Sequence, residues 1–274
     1  MSALEFFHVL FGWIYFVAWC ACYWPQVKLN HERKTTCGLS PDFVALNLLG
    51  FISYTIYTLA YVLDESAIRS YKKHAGYSPQ VEVNDAFFAV HGFLVSAWIG
   101  WQCVSMPPRT APKRYTSAAA LMVVSMIAVG FLGVVTGRVG WYSYARFNGG
   151  VKVISSIIKH IPQVVSNVRR SSTVGYSISL VLLDLIGCIF SLLQQALRCV
   201  MEGNLTAYTG NMAKTTLALE ALLFDCYFIT QHFCLYPDHT DTDVLQMKLE
   251  TEGGRRDGES QDVPMERERL MAES

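Results

Sequence analysis

The chain has 274 residues, of which 52% are apolar and 16% charged, with a formal net charge of zero and a mean hydropathy of +0.27. That balance excludes an ordinary soluble domain. It also excludes a nucleic-acid binder, which needs a concentrated basic surface.

Seven apolar runs follow one another, near residues 6–24, 39–63, 85–106, 115–136, 143–162, 177–200 and 213–236. Each approaches the roughly 20 residues that a bilayer requires. The first starts almost at Met1 with no basic region and no cleavage site, so it reads as a span behind a short luminal N-terminus, residues 1–5. The loop after it carries Lys28, Arg33 and Lys34, the loop after the third run is Pro107 to Arg114, and the loop after the fifth carries Arg169 and Arg170. The other loops mix signs: Asp64, Glu65, Arg69, Lys72, Lys73 and Glu82, then Arg138 and Glu202. An excess of lysine and arginine marks cytosolic loops, so the N-terminus is expected in a lumen and the C-terminus in the cytosol. The sequon Asn204-Leu205-Thr206 falls on the luminal side. Residues 237–274 lack apolar periodicity and are expected to form a disordered cytosolic tail, in which Glu266 to Met271 loosely matches an acidic-dileucine sorting signal. The eight cysteines sit mostly inside spans and form no CxxC pair, so they read as small buried residues, without disulfides or a metal site.

One stretch occurs twice. Shifted by about 137 positions, Pro25-Gln26-Val27 falls on Pro162-Gln163-Val164, and Asn30, Arg33, Gly38, Ser40 and Gly50 fall on Asn167, Arg170, Gly175, Ser177 and Gly187. Asn47 falls on Asp184, an exchange of an amide for an acid. Both copies must face one side of the membrane, which two directly joined three-span units cannot achieve. The fourth run, which contains no ionisable residue, supplies the extra crossing. The expected fold is therefore all-α, with seven transmembrane helices as two parallel three-helix repeats and a linker helix. Residues 6–106 form the first repeat, 115–136 the linker and 143–236 the second repeat. Proline within an apolar helix removes a backbone donor and kinks the chain, so Pro25-Gln26 and Pro162-Gln163 are candidate hinges beside a binding site.

An ionisable group inside a span is a functional hypothesis by default. Here these are Lys152 and Lys159 on one face of span five, Asp184 on six, and Lys214, Glu220 and Asp225 on seven, with Asp85 opening span three. Lys214 and Asp85 lie near span ends, where snorkelling to the surface is the bland alternative. A structural ion pair between Asp184 and Lys159 is a second bland reading. Paired lysines and an aspartate in one cavity match a zwitterion, cations meeting its carboxylates and the anion its ammonium group. A carboxylate held between burial and lysines is poised to take a proton from an acidic compartment and release it to neutral cytosol. The residues alone thus argue for a proton-linked carrier of an amino-acid-like solute.

The series Trp24-Pro25-Gln26-Val27, Gly38 to Asn47, Asn84 to Phe88, Pro162-Gln163, Val181 to Asp184, Phe190 to Gln194, Phe224-Asp225 and Gln231 to Tyr236 resembles the PQ-loop family, specifically its proton-coupled exporters of lysosomal cystine. The resemblance covers about residues 10–236. It implies proton coupling through Asp184, with Asp85 and Asp225 in gating or proton-path roles. It implies substrate contacts from Tyr23, Lys152, Lys159, Asp184 and Lys214, with Asn47 and Asn167 either bonding the ligand or locking the helix kinks, and hinges at Pro25, Gln26, Pro162 and Gln163. No cofactor is implied beyond the proton as coupling ion. The implied partners are L-cystine, protons and the lipid bilayer, with sorting adaptors or nutrient-signalling proteins on the cytosolic face. The implied location is a lysosomal or equivalent acidic membrane.

The chain departs from that pattern in having only a few residues before span one, where the family carries a glycosylated luminal domain, and in lacking a Gly-Tyr-Asp-Gln-Leu-type signal after Tyr236-Pro237. Leu180 stands for a cavity asparagine, Tyr23 for a phenylalanine, and Glu220 is an additional acid. Sugar uniporters of the same fold class have no use for buried lysines and acids, and exporters of cationic amino acids would prefer an acid-dominated cavity. A sensor or sorting receptor of this fold would bind without translocating. No metal-ligand constellation, nucleophile elbow or phosphate loop points to an enzyme.

Overall fold

The computed structural model describes residues 2–203, apart from 77, 80 and 82, and residues 212–237. The sequon at Asn204 and the tail beyond Pro237 lie outside the described residues. The chain is helical: α1 (Ala3–Ala21), α2 (Trp24–Arg33), α3 (Pro41–Leu63), α4 (Glu65–Ala75), α5 (Val83–Ser105), α6 (Arg114–Val135), α7 (Trp141–Arg170), α8 (Ile178–Glu202) and α9 (Met212–Thr230), with a π-helical turn at Gln231–Leu235. Five stretches are long and apolar enough to cross a membrane: Ala3–Arg33, α3, α5, α6 and α8. The other two expected spans, α7 and α9, carry Lys152 and Lys159, and Lys214, Glu220 and Asp225. The charge that lowers their hydropathy is turned inward, as described below.

The repeats interlock. α3 packs most extensively on α7, and α1 on α8, so the first helix of each repeat lies against the second helix of the other. The third helices, α5 and α9, close the outer sides against α3 and α8. α6 touches only α3 and α7 among the larger packing contacts. It leaves Leu121, Met122, Val129, Leu132 and Val135 outward, an apolar surface suited to lipid.

The basic segments after the Pro-Gln pairs are mostly helical, contrary to the expected loops. α2 runs to Arg33 and α7 to Arg170, and each ends on a left-handed residue, Lys34 (φ 55°) or Ser171 (φ 47°). The true loops, 35–40 and 172–177, are short and alike. Gly38 (φ 95°) and Gly175 (φ 93°) make the left-handed bend, and two residues later Ser40 or Ser177 caps the next helix through the Phe43 or Leu180 amide. The two loops cross so closely that a Cβ on either glycine would lie 2.0 Å from the other loop's carbonyl oxygen, at Val174 or Cys37.

The two proline sites differ. In the first copy the helix breaks at Cys22–Tyr23, and Pro25 sits in the first turn of α2. In the second, Pro162 lies inside the continuous 30-residue α7. The expected pair of matching kinks is thus one break and one uninterrupted helix.

A further helix, α4, occupies the expected loop after span two. Asp64 caps it by accepting from the Ser66 and Ala67 amides, Glu65 pairs with Arg69 at 2.8 Å, and Gly76 (φ 82°) ends it.

Candidate functional site

At one end of the bundle, Gln26 and Gln163 each reach into the other repeat. Gln26 Nε2 donates to the Gly175 carbonyl (2.9 Å) and to Asn30 Oδ1 (2.8 Å), while its Oε1 accepts from the Ser177 amide (2.8 Å). Gln163 repeats this on the Gly38 carbonyl (2.9 Å), Asn167 Oδ1 (2.9 Å) and the Ser40 amide (2.7 Å). Asn30 then donates to Gln102 on α5 (2.8 Å), and Asn167 to Gln231 beyond α9 (2.9 Å). All six side chains are buried, and each glutamine uses its amide fully, as burial in an apolar bundle requires. Of the two roles expected for Asn167, ligand contact or a lock on the kink, the bonds fit the lock: it is committed to this clasp and does not line the cavity.

A cavity shares Cys22, Tyr23 and Phe51 with an apolar cluster that also holds Leu39, Phe43, Tyr176, Leu180 and Phe228. It extends from Asp85 and Lys214, in the first turns of α5 and α9, to Tyr23 and Lys159 near the middle of the bundle. Lys152, Asp184 and Glu220 complete its charged lining, and Tyr15, Trp19, Phe51, Tyr54 and Phe88 its aromatic lining. Lys214 and Asp85 therefore face the cavity, and the simple snorkelling reading does not describe them.

Each lysine is held differently. Lys152 places its ammonium 4.3 Å from the Phe51 ring centre and 5.4 Å from that of Tyr54. Lys159 donates to Asn47 Oδ1 (3.2 Å) and Tyr23 OH (3.5 Å), and Tyr23 itself donates to the same Asn47 oxygen (3.2 Å). Asn47 Nδ2 donates onward to Ser96 Oγ (2.8 Å). Lys214 donates to Tyr15 OH and Gln194 Oε1, both at 3.1 Å. Among the described residues no ion pair joins Lys159 to Asp184: the lysine is bound to the asparagine that matches Asp184 in the other repeat.

Asp184 faces the cavity from α8, and its carboxylate lies 3.9 Å from Cys188 Sγ. Asp225 sits behind it on α9, buried and outside the cavity lining. The Oε2 of Glu220 is buried with no hydrogen-bond partner. Sequence reasoning missed Gln102, Ser96, Phe51 and Gln194. The two glutamines and the serine are polar groups inside apolar helices, which is the signal that could have found them.

A family model described as the PQ loop repeat matches residues 7–67 and 144–200. The chain is 36% identical over 238 residues to a cystinosin homolog of Dictyostelium discoideum, covering 86% of this chain and 84% of that protein. It is 34% identical to cystinosin of Bos taurus over 85% of this chain, and spans 64% of that longer relative. It is 26% identical to a cystine transporter of Saccharomyces cerevisiae, over 82% of this chain and 92% of that protein.

Proposed function

We propose a transport function for this chain, which belongs to the cystinosin family of PQ-loop repeat proteins: it exports L-cystine together with protons from an acidic lumen to the cytosol. The observation that carries this reading is the cavity that Lys152, Lys159 and Lys214 share with Asp184, Glu220 and Asp85 amid aromatic rings. Cystine presents two carboxylates, two ammonium groups and an apolar disulfide bridge. Three lysines can take the carboxylates, the acids the ammonium groups, and the rings of Phe51, Tyr54 and Phe88 the sulfur-bearing middle.

The positive-inside rule assigns the clasp end to the cytosol and the open cavity to the lumen. In this arrangement the cavity accepts solute from the lumen, and the paired glutamines hold the cytosolic exit shut. The tie from Lys159 to Asn47 and Tyr23 forms part of the floor. An arriving carboxylate replaces Asn47 as the partner of Lys159, and the floor between the repeats loosens. Protonation of Asp184, with Asp225 behind it and Asp85 at the mouth, removes negative charge before the helices move. The protonated carboxyl of Asp184 then releases its proton to the cytosol, which resets the cycle. Opening the exit requires the Gln26 and Gln163 bonds to break, with Pro25 and Pro162 as the points where a backbone bond is already missing.

The test of substrate is uptake of labelled L-cystine into proteoliposomes, with excess unlabelled lysine, arginine or glucose as competitors. Cystine flux unaffected by these competitors supports the proposal. Flux of lysine or arginine without cystine would assign the cavity to cationic amino acids. Cystine binding without flux would make the protein a receptor.

A further inference from the structure

The sequence reading took the cysteines for inert packing residues. One of them is placed otherwise. Cys188 lies one helical turn from Asp184 on α8, and Asp225 faces both from α9. One ligand atom from each of the three lies within 4.8 Å of the others. Cys188 is fully buried and Asp225 is 1% exposed, and Asp225 Oδ2 has no hydrogen-bond partner. A buried carboxylate oxygen without a donor, beside a thiol and a second carboxylate, is a group still awaiting a proton or a cation.

We propose that Asp184, Cys188 and Asp225 form a binding site for a divalent cation of the zinc class, and that its occupation clamps α8 to α9 and stops transport. A tetrahedral zinc site brings its ligand atoms to roughly 3.4 Å from one another, so side-chain rotation of about an ångström completes it. One thiolate with two carboxylates is a donor set for a borderline-soft ion, which excludes magnesium and calcium as the preferred occupants. Asp184 lines the cavity, so an ion entering with the solvent has a path to the site. The ion would take the carboxylate that the transport cycle protonates and tie it to a neighbouring helix. The inhibition rests on the transport reading, whereas the binding does not.

Zinc is titrated into the full-length protein in detergent, in competition with a chromophoric zinc chelator. Wild type is compared with Cys188→Ser, which keeps the side-chain volume, with Cys188→Ala and Asp225→Asn, and with Cys226→Ala as a thiol control beside the site. The expected result is one zinc equivalent whose affinity falls at least ~10-fold in the three site variants and is unchanged in Cys226→Ala. In proteoliposomes, zinc inhibits wild-type flux and leaves that of Cys188→Ser at its own metal-free level. Equal zinc affinity in wild type and Cys188→Ser overturns the site. Zinc bound at the site with undiminished flux overturns the clamp. Because the titration needs no transport, its failure and the failure of the cystine reading are separable.

Discussion

Lys159 Nζ lies 3.2 Å from Asn47 Oδ1, which joins the first helix of the second repeat to the second helix of the first. The bond sits at the inner end of the cavity, and Asn47 occupies the position that Asp184 holds in the other repeat. A lysine that paired with Asp184 would neutralise the acid permanently. Bound to a neutral amide, it keeps its charge available to a carboxylate.

Asn47→Ala removes the acceptor of both Lys159 and Tyr23 and leaves a buried ammonium with one long hydrogen bond, to Tyr23, and the Phe43 ring. Losing a bond to a charged group costs about 1.5–3 kcal/mol. Cystine flux is therefore expected to fall at least ~10-fold, with a lower Tm in detergent. Unchanged flux would remove Asn47 from the floor.

The glutamine clasp makes a symmetrical prediction. Gln26→Ala and Gln163→Ala each remove three hydrogen bonds, two of them to the opposite repeat. Each is expected to destabilise the protein by at least ~2 kcal/mol through buried groups left unpaired. The double variant is expected to lose less than the sum, because each side chain holds one of two loops that cross in contact with each other. Thermal unfolding of the four forms measures both effects.

Gly38→Ala and Gly175→Ala are expected to be worse than any clasp variant. Each puts a Cβ 2.0 Å from a backbone oxygen at a positive φ, and neither crossing loop can retreat without breaking the glutamine bonds. Little or no monodisperse protein is the expected outcome, read by size-exclusion chromatography.

Outside the membrane, Asp64 makes a pH-dependent prediction. The Ser66 hydroxyl, and then the Ala67 and Ser66 amides, hold its carboxyl below the usual carboxylate range. A folded pKa below the unfolded one gives stability that is complete above the unfolded value of about 3.9 and is lost as pH falls through the folded value. The cap of α4 thus survives at mildly acidic pH. Asp64→Ala is expected to lower Tm slightly and equally at pH ~7 and ~5, with the difference shrinking only below pH ~4.

The repeat and most of the cavity charges were legible because both leave one-dimensional marks. Gly38-Leu39-Ser40 and Gly175-Tyr176-Ser177 recur at one spacing, and Lys152, Lys159 and Asp184 stand out against apolar neighbours. What Gln26 and Gln163 do was not legible. Their partners are backbone groups about 150 and 125 residues away, and no local pattern reports them. Two roles stayed open for Asn167 for the same reason: sequence marks it as polar in a span but does not say whether it faces solute or locks the kink. α4 did leave signals, an Asp64 cap, a Glu65–Arg69 pair and Gly76, which mixed charge concealed. The unequal proline sites could not be read, because a proline's missing donor permits a break without requiring one.

The most direct test of the account is cystine flux into proteoliposomes under an imposed proton gradient, comparing wild type with Asp184→Asn. The account predicts flux that follows the gradient in wild type and loses both its rate and its gradient dependence in the variant. Gradient-driven flux that persists in Asp184→Asn would contradict it.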